Sequence, residues 1–300
     1  MTRSQLDLIS DLLRSSPLDM GGDVEKMRRV FDETAGSAPL PAGVLTRTTE
    51  LGGVPAVEVR AGDAAPTDGT LLYLHGGAYA IGSAAGSVGL VSELARRTGA
   101  TALTVDYRLA PEHPFPAAVD DALAAYRALL DRGVAAGSIA VTGESAGGGL
   151  ALALLLAIKD AGFPQPSCAT VMSPWADLTQ SGATIETRAG ADPVLTRRAL
   201  DTRAAGYLAG ADPRTPLASP LYADLRGLPP LLIQAGGREV LLDDALRLAA
   251  KAALADVPVT LRTFPGAPHV FQAFAPVVDV AAQALDHMAA FINSHAGRES

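Results

Sequence analysis

The chain is poor in cysteine and aromatic residues and has no cluster of basic residues. Cys168 is the one cysteine among 300 residues, so an internal disulfide bond is excluded and a reducing compartment is consistent with the composition. Aromatic residues make up 5% of the chain, and the net charge is −8. Because nucleic acids are polyanions that bind basic surfaces, we expect no nucleic-acid partner.

The chain also lacks a long hydrophobic run. Its longest apolar stretch, residues 149–158, is shorter than the roughly 20 residues that a helix needs to cross a bilayer. Asp7 and Asp11 interrupt the apolar pattern near the N-terminus, which disfavours the core of a signal peptide. These features predict that the protein has no membrane span and is cytoplasmic.

No group of histidine, cysteine and acidic residues has the spacing of a metal site, so we expect neither a metal nor another cofactor. What the chain does contain is 48% hydrophobic and 19% charged residues, which is typical of a folded globular protein. Its length fits one large α/β domain.

The most informative stretch spans residues 139–159. It begins with a β-branched apolar run that predicts a buried strand, continues with Gly-Glu-Ser-Ala-Gly at 143–147, and ends in an apolar run that predicts a helix. A Gly-x-Ser-x-Gly turn between a strand and a helix is typical of a nucleophile elbow, in which the serine hydroxyl projects from a strained turn. The first N–H groups of the helix would then face a developing oxyanion. We therefore predict that Ser145 is a nucleophile.

A second informative stretch, His75-Gly76-Gly77-Ala78, follows the predicted buried strand at 70–74. Glycines after a strand let backbone N–H groups point into a cleft without obstruction by side chains. An oxyanion hole needs two or three such donors. The alternative is an ordinary tight turn after a strand.

Further along the chain, apolar runs alternate with segments of helical period. This alternation predicts a mainly parallel sheet flanked by helices, with antiparallel strands over 43–60 at the sheet edge. In sheets of this kind the functional groups lie beyond the carboxyl ends of the strands. His75, Ser145, Glu239 and His269 all fall in loops just after predicted strands.

Two segments lie outside the sheet pattern. In residues 1–45, which we predict to be an N-terminal helical cap segment, Leu6, Ile9, Leu12 and Leu13 recur at helical spacing. We expect their apolar face to pack over the site entrance. Residues 46–300 are predicted to form the catalytic domain, with a cap insertion at about 180–218.

Taken together, these motifs resemble the hormone-sensitive-lipase-like branch of the α/β-hydrolases, bacterial esterase family IV. The matching segments are residues 75–79, 106–118, 143–148, 173–175 and 268–271. The resemblance implies an α/β-hydrolase fold with a mainly parallel, eight-stranded sheet flanked by helices and a helical cap. It also implies hydrolysis of carboxylic esters with short to medium acyl chains, through a Ser-His-acid triad and an acyl-enzyme, and a homodimer.

On this chain the resemblance makes Ser145 the nucleophile and His269 the base. It assigns the oxyanion hole to Gly76, Gly77, Ala78 and Ala146, with Gly76 shaping the turn. The family has a third glycine where this chain has Ala78. An alanine keeps the backbone donor, so we expect an intact oxyanion hole if the local φ and ψ suit alanine.

Three carboxylates compete for the acid of the triad: Glu239, Asp243 and Asp244. The family motif Asp-Pro-Leu-x-Asp corresponds here to Glu-Val-Leu-Leu-Asp at 239–243, which puts Glu239 on the catalytic position. Asp243 and Asp244 open a predicted helix, where aspartates cap free N–H groups. We predict Glu239 as the acid and keep Asp243 as the alternative.

The expected activity is hydrolysis of a small-molecule carboxylic ester. A lactone, carbamate or arylformamide hydrolase would use the same residues, since the fold does not fix the substrate. A catalytically silent binding protein is a further alternative, because plant hormone receptors resemble this family. Such receptors typically lose a triad member, whereas Ser145 and His269 are both present, which favours the enzyme.

Overall fold

Strands and helices alternate along most of the chain in a computed structural model that describes residues 4–36, 42–62, 65 and 67–296. The strands are β1 Val44–Leu51, β2 Val54–Ala61, β3 Thr70–Leu74, β4 Thr101–Val105, β5 Ile139–Glu144, β6 Cys168–Met172, β7 Leu231–Gly236 and β8 Val259–Phe264. The helices are α1 Gln5–Arg14, α2 Val24–Gly36, α3 Val88–Thr98, α4 Ala117–Asp131, α5 Ala146–Asp160, α6 Thr184–Thr187, α7 Arg197–Leu208, α8 Leu242–Leu254 and α9 Asp279–His295.

The eight strands form one sheet in the order β1-β2-β4-β3-β5-β6-β7-β8. β2 is antiparallel to β1 and to β4, and every pair from β4 to β8 is parallel. The predicted fold class, a mainly parallel eight-stranded sheet flanked by helices, is confirmed. In this order β3 lies directly beside β5, so the loops that contain His75 and Ser145 leave the sheet at neighbouring positions.

Alternate residues of β3 face two different apolar layers, as the two-residue period of a strand requires. Leu72 and Leu74 belong to the core cluster that includes residues of α4, α5 and α8. Leu71 and Tyr73 belong to the cluster on the opposite face, with residues of α3 and α9. A strand that is buried on both faces has a continuous apolar sequence, which explains the apolar run at 70–74.

α5 is the central helix, and its residues from Ala146 to Ile158 are all buried. It begins very close to β3. A Cβ atom on Gly147 would lie 2.0 Å from the carbonyl oxygen of Leu74 and 2.4 Å from that of His75. Only glycine permits this approach, so the second glycine of the Gly-x-Ser-x-Gly motif sets the distance between the helix and the neighbouring strand.

The first helix does not pack as expected from its pattern. Leu6 and Ile9 contact the α3–α9 core cluster, and Leu12 is 60% exposed. Arg238 fixes α1 there, because it donates to Oδ1 of Asp7 at 2.6 Å and to Oγ of Ser10 at 3.0 Å. The expectation that this apolar face covers the site entrance therefore differs from the structure. That residues 1–45 and about 180–218 function as a cap stays a prediction.

Gly147→Ala should destabilise the fold, because the added methyl group would force β3 and α5 apart. We expect the free energy of unfolding to fall by about 1–3 kcal/mol, as for other overpacked cores. Urea denaturation followed by the fluorescence of the buried Trp175 measures the change.

Gly89 provides the matched control. Like Gly147 it is the second residue of a helix, but a Cβ atom there would contact nothing within 4 Å. Gly89→Ala should leave stability unchanged or raise it by up to about 1 kcal/mol. Equal stabilities for the two variants would contradict the close approach at Gly147.

Candidate active site

Ser145 occupies the turn between β5 and α5 in a strained backbone conformation. Its φ is +56° and its ψ is −122°, a region that residues with a side chain rarely adopt. Gly143 makes the turn possible, since a Cβ atom there would lie 2.2 Å from the carbonyl oxygen of Gly147. Strain of this kind is common at functional sites, where the surrounding structure holds it in place.

His269 and Glu239 complete a continuous chain of hydrogen bonds to Ser145. Nε2 of His269 lies 2.9 Å from Oγ of Ser145, and Nδ1 of His269 lies 2.6 Å from Oε2 of Glu239. His269 follows β8 and Glu239 follows β7, so neighbouring strands supply the two partners. The structure thus brings together the three residues that the sequence suggested as nucleophile, base and acid.

Asp243 and Asp244, the competing carboxylates, bind elsewhere. Both lie in the first turn of α8, as expected, but their side chains accept from a different loop rather than from their own helix. Oδ2 of Asp243 accepts from the N–H of Ala183, and Oδ2 of Asp244 accepts from the N–H groups of Ala176 and Asp177. These bonds tie the segment after β6 to α8. Of the three candidate carboxylates, Glu239 is the one in contact with His269.

The Glu239–His269 pair is almost fully buried. Burial raises the pKa of Glu239, against the opposing effect of the hydrogen bonds from His269 and from the N–H of Gly236. Burial by itself lowers the pKa of His269, but the hydrogen bond to Glu239 and its negative charge outweigh this effect and the pKa is raised. Because Nδ1 faces the carboxylate, it holds a proton, and Nε2 of the neutral ring presents its lone pair to Ser145.

The loop after β3 lies beside Ser145 and contains unused backbone donors. Gly77 has a φ of +112° and Ala78 a φ of +53°, so the alanine adopts the left-handed conformation that the motif requires. Within the described residues, the N–H groups of Gly77, Ala78 and Ala146 have no hydrogen-bond acceptor. Three free donors near one serine form the arrangement expected of an oxyanion hole.

Gly76 differs from the other three residues assigned to the oxyanion hole. Its N–H donates to Oε1 of Glu144 at 2.7 Å and is not free. A Cβ atom on Gly76 would lie 3.2 Å from Cβ of Ser145, so the glycine allows the loop to approach the nucleophile. Because its N–H is already paired, Gly76 is not a free donor, in keeping with the turn-shaping role expected of it.

Glu144 is a residue whose contact the sequence did not reveal. It is adjacent to Ser145, and its carboxylate anchors the loop that contains Gly77 and Ala78 through the Gly76 amide. Burial raises its pKa to about 7, although the hydrogen bond from the Gly76 N–H opposes the shift. Its position beside the nucleophile was the one signal in the sequence.

His75 holds the same loop from its other side. Its ring stacks on that of Tyr107 with 4.2 Å between the centroids, and its Nδ1 donates to the carbonyl oxygen of Gly76 at 2.7 Å. The Tyr107 hydroxyl donates to the carbonyl oxygen of His75 at 2.7 Å. Burial lowers the pKa of His75, so the ring is neutral. These contacts fix the position of the loop that contains Gly76, Gly77 and Ala78.

A cavity of about 270 Å³ opens onto Ser145, His269 and the oxyanion loop. Its walls come from several parts of the chain, including α3 and the segment before it. The N-terminal segment contributes Leu18, Met20 and Phe31; the segment around α7 contributes Val194, Leu195 and Leu200; the loop after β6 contributes Trp175. The walls beyond the reacting groups are mostly apolar, which suits an uncharged substrate.

None of the helices placed in the structure has the length and hydropathy needed to cross a bilayer. Across residues 4–36, 42–62, 65 and 67–296, no three histidine, cysteine or acidic side chains are grouped as metal ligands would be.

Comparison with known proteins identifies the family. Residues 71–273 match the family model described as the alpha/beta hydrolase fold. The crystal structure of an esterase from the bacterial hormone-sensitive lipase family superposes with a TM-score of 0.94 at 42% identity, covering 99% of this chain and all of that one. The chain belongs to the hormone-sensitive-lipase-like α/β-hydrolases.

Curated relatives of this hydrolase cover nearly the same length. An acetyl-hydrolase from Streptomyces hygroscopicus is 44% identical over 301 aligned positions, which are 99% of each chain. An esterase from Acinetobacter venetianus is 38% identical over 269 positions, covering 89% of this chain and 88% of the relative. The resemblance inferred from the motifs is confirmed.

Proposed function

We propose that this α/β-hydrolase hydrolyses carboxylic esters, with Ser145 as nucleophile, His269 as general base and Glu239 as the acid that orients it. The observation that supports the proposal most directly is the hydrogen-bonded chain from Ser145 to His269 at 2.9 Å and from His269 to Glu239 at 2.6 Å. The relatives named esterase and acetyl-hydrolase support the same reaction class.

Acylation would begin when Nε2 of His269 accepts the hydroxyl proton of Ser145. The serine oxygen then forms a bond to the ester carbonyl carbon, and the carbonyl π electrons move to its oxygen. The N–H groups of Gly77, Ala78 and Ala146 would stabilise that oxyanion. When the tetrahedral intermediate collapses, His269 donates the proton to the leaving alcohol, and an acyl group remains on Ser145.

Deacylation would repeat these steps with water. His269 accepts a proton from the water as its oxygen bonds to the acyl carbon, and then returns the proton to Ser145 as the carboxylic acid leaves. In both halves an imidazolium forms beside Glu239, whose carboxylate stabilises it. A buried carboxylate exerts this effect strongly because little water screens it.

Glu239→Gln should lower kcat by about 10²- to 10⁴-fold, because the amide neither stabilises the imidazolium nor fixes its tautomer. Hydrolysis of p-nitrophenyl butyrate, followed by release of nitrophenolate, measures the effect. Ser145→Ala should reduce hydrolysis to the uncatalysed background.

Asp243→Asn is the matched control, since Asp243 is an acid four residues further on that binds the N–H of Ala183. It should keep kcat within about threefold and cost about 1 kcal/mol of stability at most, the scale of one hydrogen bond. A large loss of kcat in Asp243→Asn together with normal kcat in Glu239→Gln would instead identify Asp243 as the acid of the triad. Activity that survives Ser145→Ala would refute the proposed nucleophile.

The pH dependence of kcat/KM should reflect protonation of His269. Only the neutral ring can accept the Ser145 proton, so kcat/KM should fall as the pH falls through the pKa of His269, which Glu239 raises above 6.5. In Glu239→Gln the charge is lost, and the acidic limb should move to lower pH. A pH-rate profile between pH 5 and 9 measures the acidic limb of the wild type and that of Glu239→Gln.

Glu144 requires a control because its pKa of about 7 lies in the same range. Glu144→Gln keeps a carbonyl acceptor for the Gly76 amide and removes the titration. If the acidic limb disappears in Glu144→Gln, the limb belongs to Glu144 and the assignment to His269 is wrong.

The cavity supports short to medium acyl esters as substrates. Its limited volume and apolar walls suit acyl chains of about four to eight carbons, and we expect kcat/KM to be highest there. A series of p-nitrophenyl esters from acetate to palmitate measures the optimum. Phe31→Ala should enlarge the cavity and raise the preference for a longer chain about tenfold.

Leu12→Ala serves as the control, since Leu12 lies on the same N-terminal segment but is exposed and outside the cavity. It should leave the chain-length profile unchanged. A wild-type optimum at 14 carbons or more would contradict the proposed substrate range. The homodimer and the cytoplasmic location expected from the sequence stay predictions.

A further inference from the structure

Ser173 lies at the end of β6 in a conformation that glycine would adopt more easily. Its φ is +49°, and the residue is fully buried. Its N–H donates to the carbonyl oxygen of Gln234 at 2.7 Å, and the preceding residue, Met172, accepts from the N–H of Ser145. The backbone around Ser173 therefore joins the nucleophile turn to β7.

The hydroxyl of Ser173 connects the other two reacting residues. It donates to Oε1 of Glu239 at 3.0 Å and accepts from the N–H of Val270 at 3.1 Å. Val270 follows His269 directly and also has a left-handed backbone, with a φ of +50°. One buried hydroxyl thus bridges the carboxylate of Glu239 and the backbone beside His269.

We propose that Ser173 is a positioning residue that fixes Glu239 and the His269 loop relative to each other for ester hydrolysis. The inference rests on the function proposed above. Ser173 contacts neither the nucleophile hydroxyl nor the cavity in the described structure, so its effect would pass through Glu239 and His269.

The two oxygens of Glu239 explain why a second donor matters. Oε2 faces His269, while Oε1 accepts from the Gly236 N–H and from Ser173. A glutamate has one more rotatable bond than the aspartate usual in the family, and the two donors on Oε1 restrict the direction of Oε2. Without the hydroxyl, the buried carboxylate loses a donor and the Val270 amide loses its acceptor.

Packing alone does not explain a serine at this position. Alanine would fill the same space, and glycine would relieve the positive φ. The hydroxyl is the one feature that these residues lack. Both replacements remove the hydroxyl that bridges Glu239 and Val270. Ser173→Ala keeps the strained backbone, whereas Ser173→Gly relieves the strain.

The test compares Ser173→Ala, Ser173→Gly and the control Ser92→Ala. Ser92 is an equally buried serine whose hydroxyl, among the residues that the structure describes, binds only the carbonyl oxygen of Gly89 in its own helix. We expect both Ser173 variants to lower kcat for p-nitrophenyl butyrate by about 10- to 100-fold, with KM within about twofold. Ser92→Ala should match the wild type, and thermal melting should show that each variant is folded.

A double-mutant cycle with Glu239→Ala separates positioning from a general structural effect. If Ser173 acts through Glu239, Ser173→Ala should change the residual kcat of Glu239→Ala by less than about threefold. Full additivity, or a Ser173→Ala kcat equal to that of Ser92→Ala, would overturn the inference. Loss of kcat in Ser173→Ala with full recovery in Ser173→Gly would also overturn it, since backbone strain would then be the cause.

The Ser145→Ala variant distinguishes failure of the positioning role of Ser173 from failure of the proposed ester hydrolysis. Wild-type hydrolysis that Ser145→Ala abolishes supports the mechanism whatever Ser173 does. Hydrolysis that persists in Ser145→Ala would overturn both.

Discussion

The close approach of α5 to the end of β3 is the constraint on which the rest of the site depends. Gly147 leaves no room for even a methyl group beside the carbonyl oxygens of Leu74 and His75. This contact brings the start of α5 against the loop that supplies Gly77 and Ala78. The Ala146 amide and the two loop amides therefore lie near one point beside Ser145, as the proposed oxyanion hole requires.

Two buried glutamates flank this point and differ in how their charge is balanced. Glu239 faces His269, so proton transfer in the proposed mechanism gives it a cationic partner at the moment when the imidazolium forms. Within the described part of the chain, Glu144 pairs with the Gly76 amide and with no cation, and burial raises its pKa to about 7. A neutral Glu144 would hold the loop without adding negative charge beside a developing oxyanion. In the proposed mechanism, Glu239 would therefore stabilise the imidazolium, and Glu144 would support the loop.

The sequence predicted the elements well because each has a local cause. The apolar runs of β3 and β5 follow from burial on both sheet faces, and the glycines at 143 and 147 follow from the sharp turn. The sequence did not predict that Glu144 occupies the Gly76 amide or that Ser173 bridges Glu239 and Val270. These contacts depend on which loops meet beyond the sheet, and the placement of β3 beside β5 is a property of the whole topology.

Several residues that shape the cavity lie outside the parts of the chain that would perform the chemistry. Ser145, Glu239 and His269 follow strands of one rigid sheet, whereas Phe31 and Leu195 belong to segments outside it. Arg28 ties the N-terminal segment to the sheet domain through Glu112 and the carbonyl oxygens of Ala80 and Ala110. Ala80 lies two residues after Ala78, so this anchor fixes a cavity wall next to the oxyanion loop. Changes in the walls can therefore alter which acyl group fits while the geometry of the reacting residues stays the same.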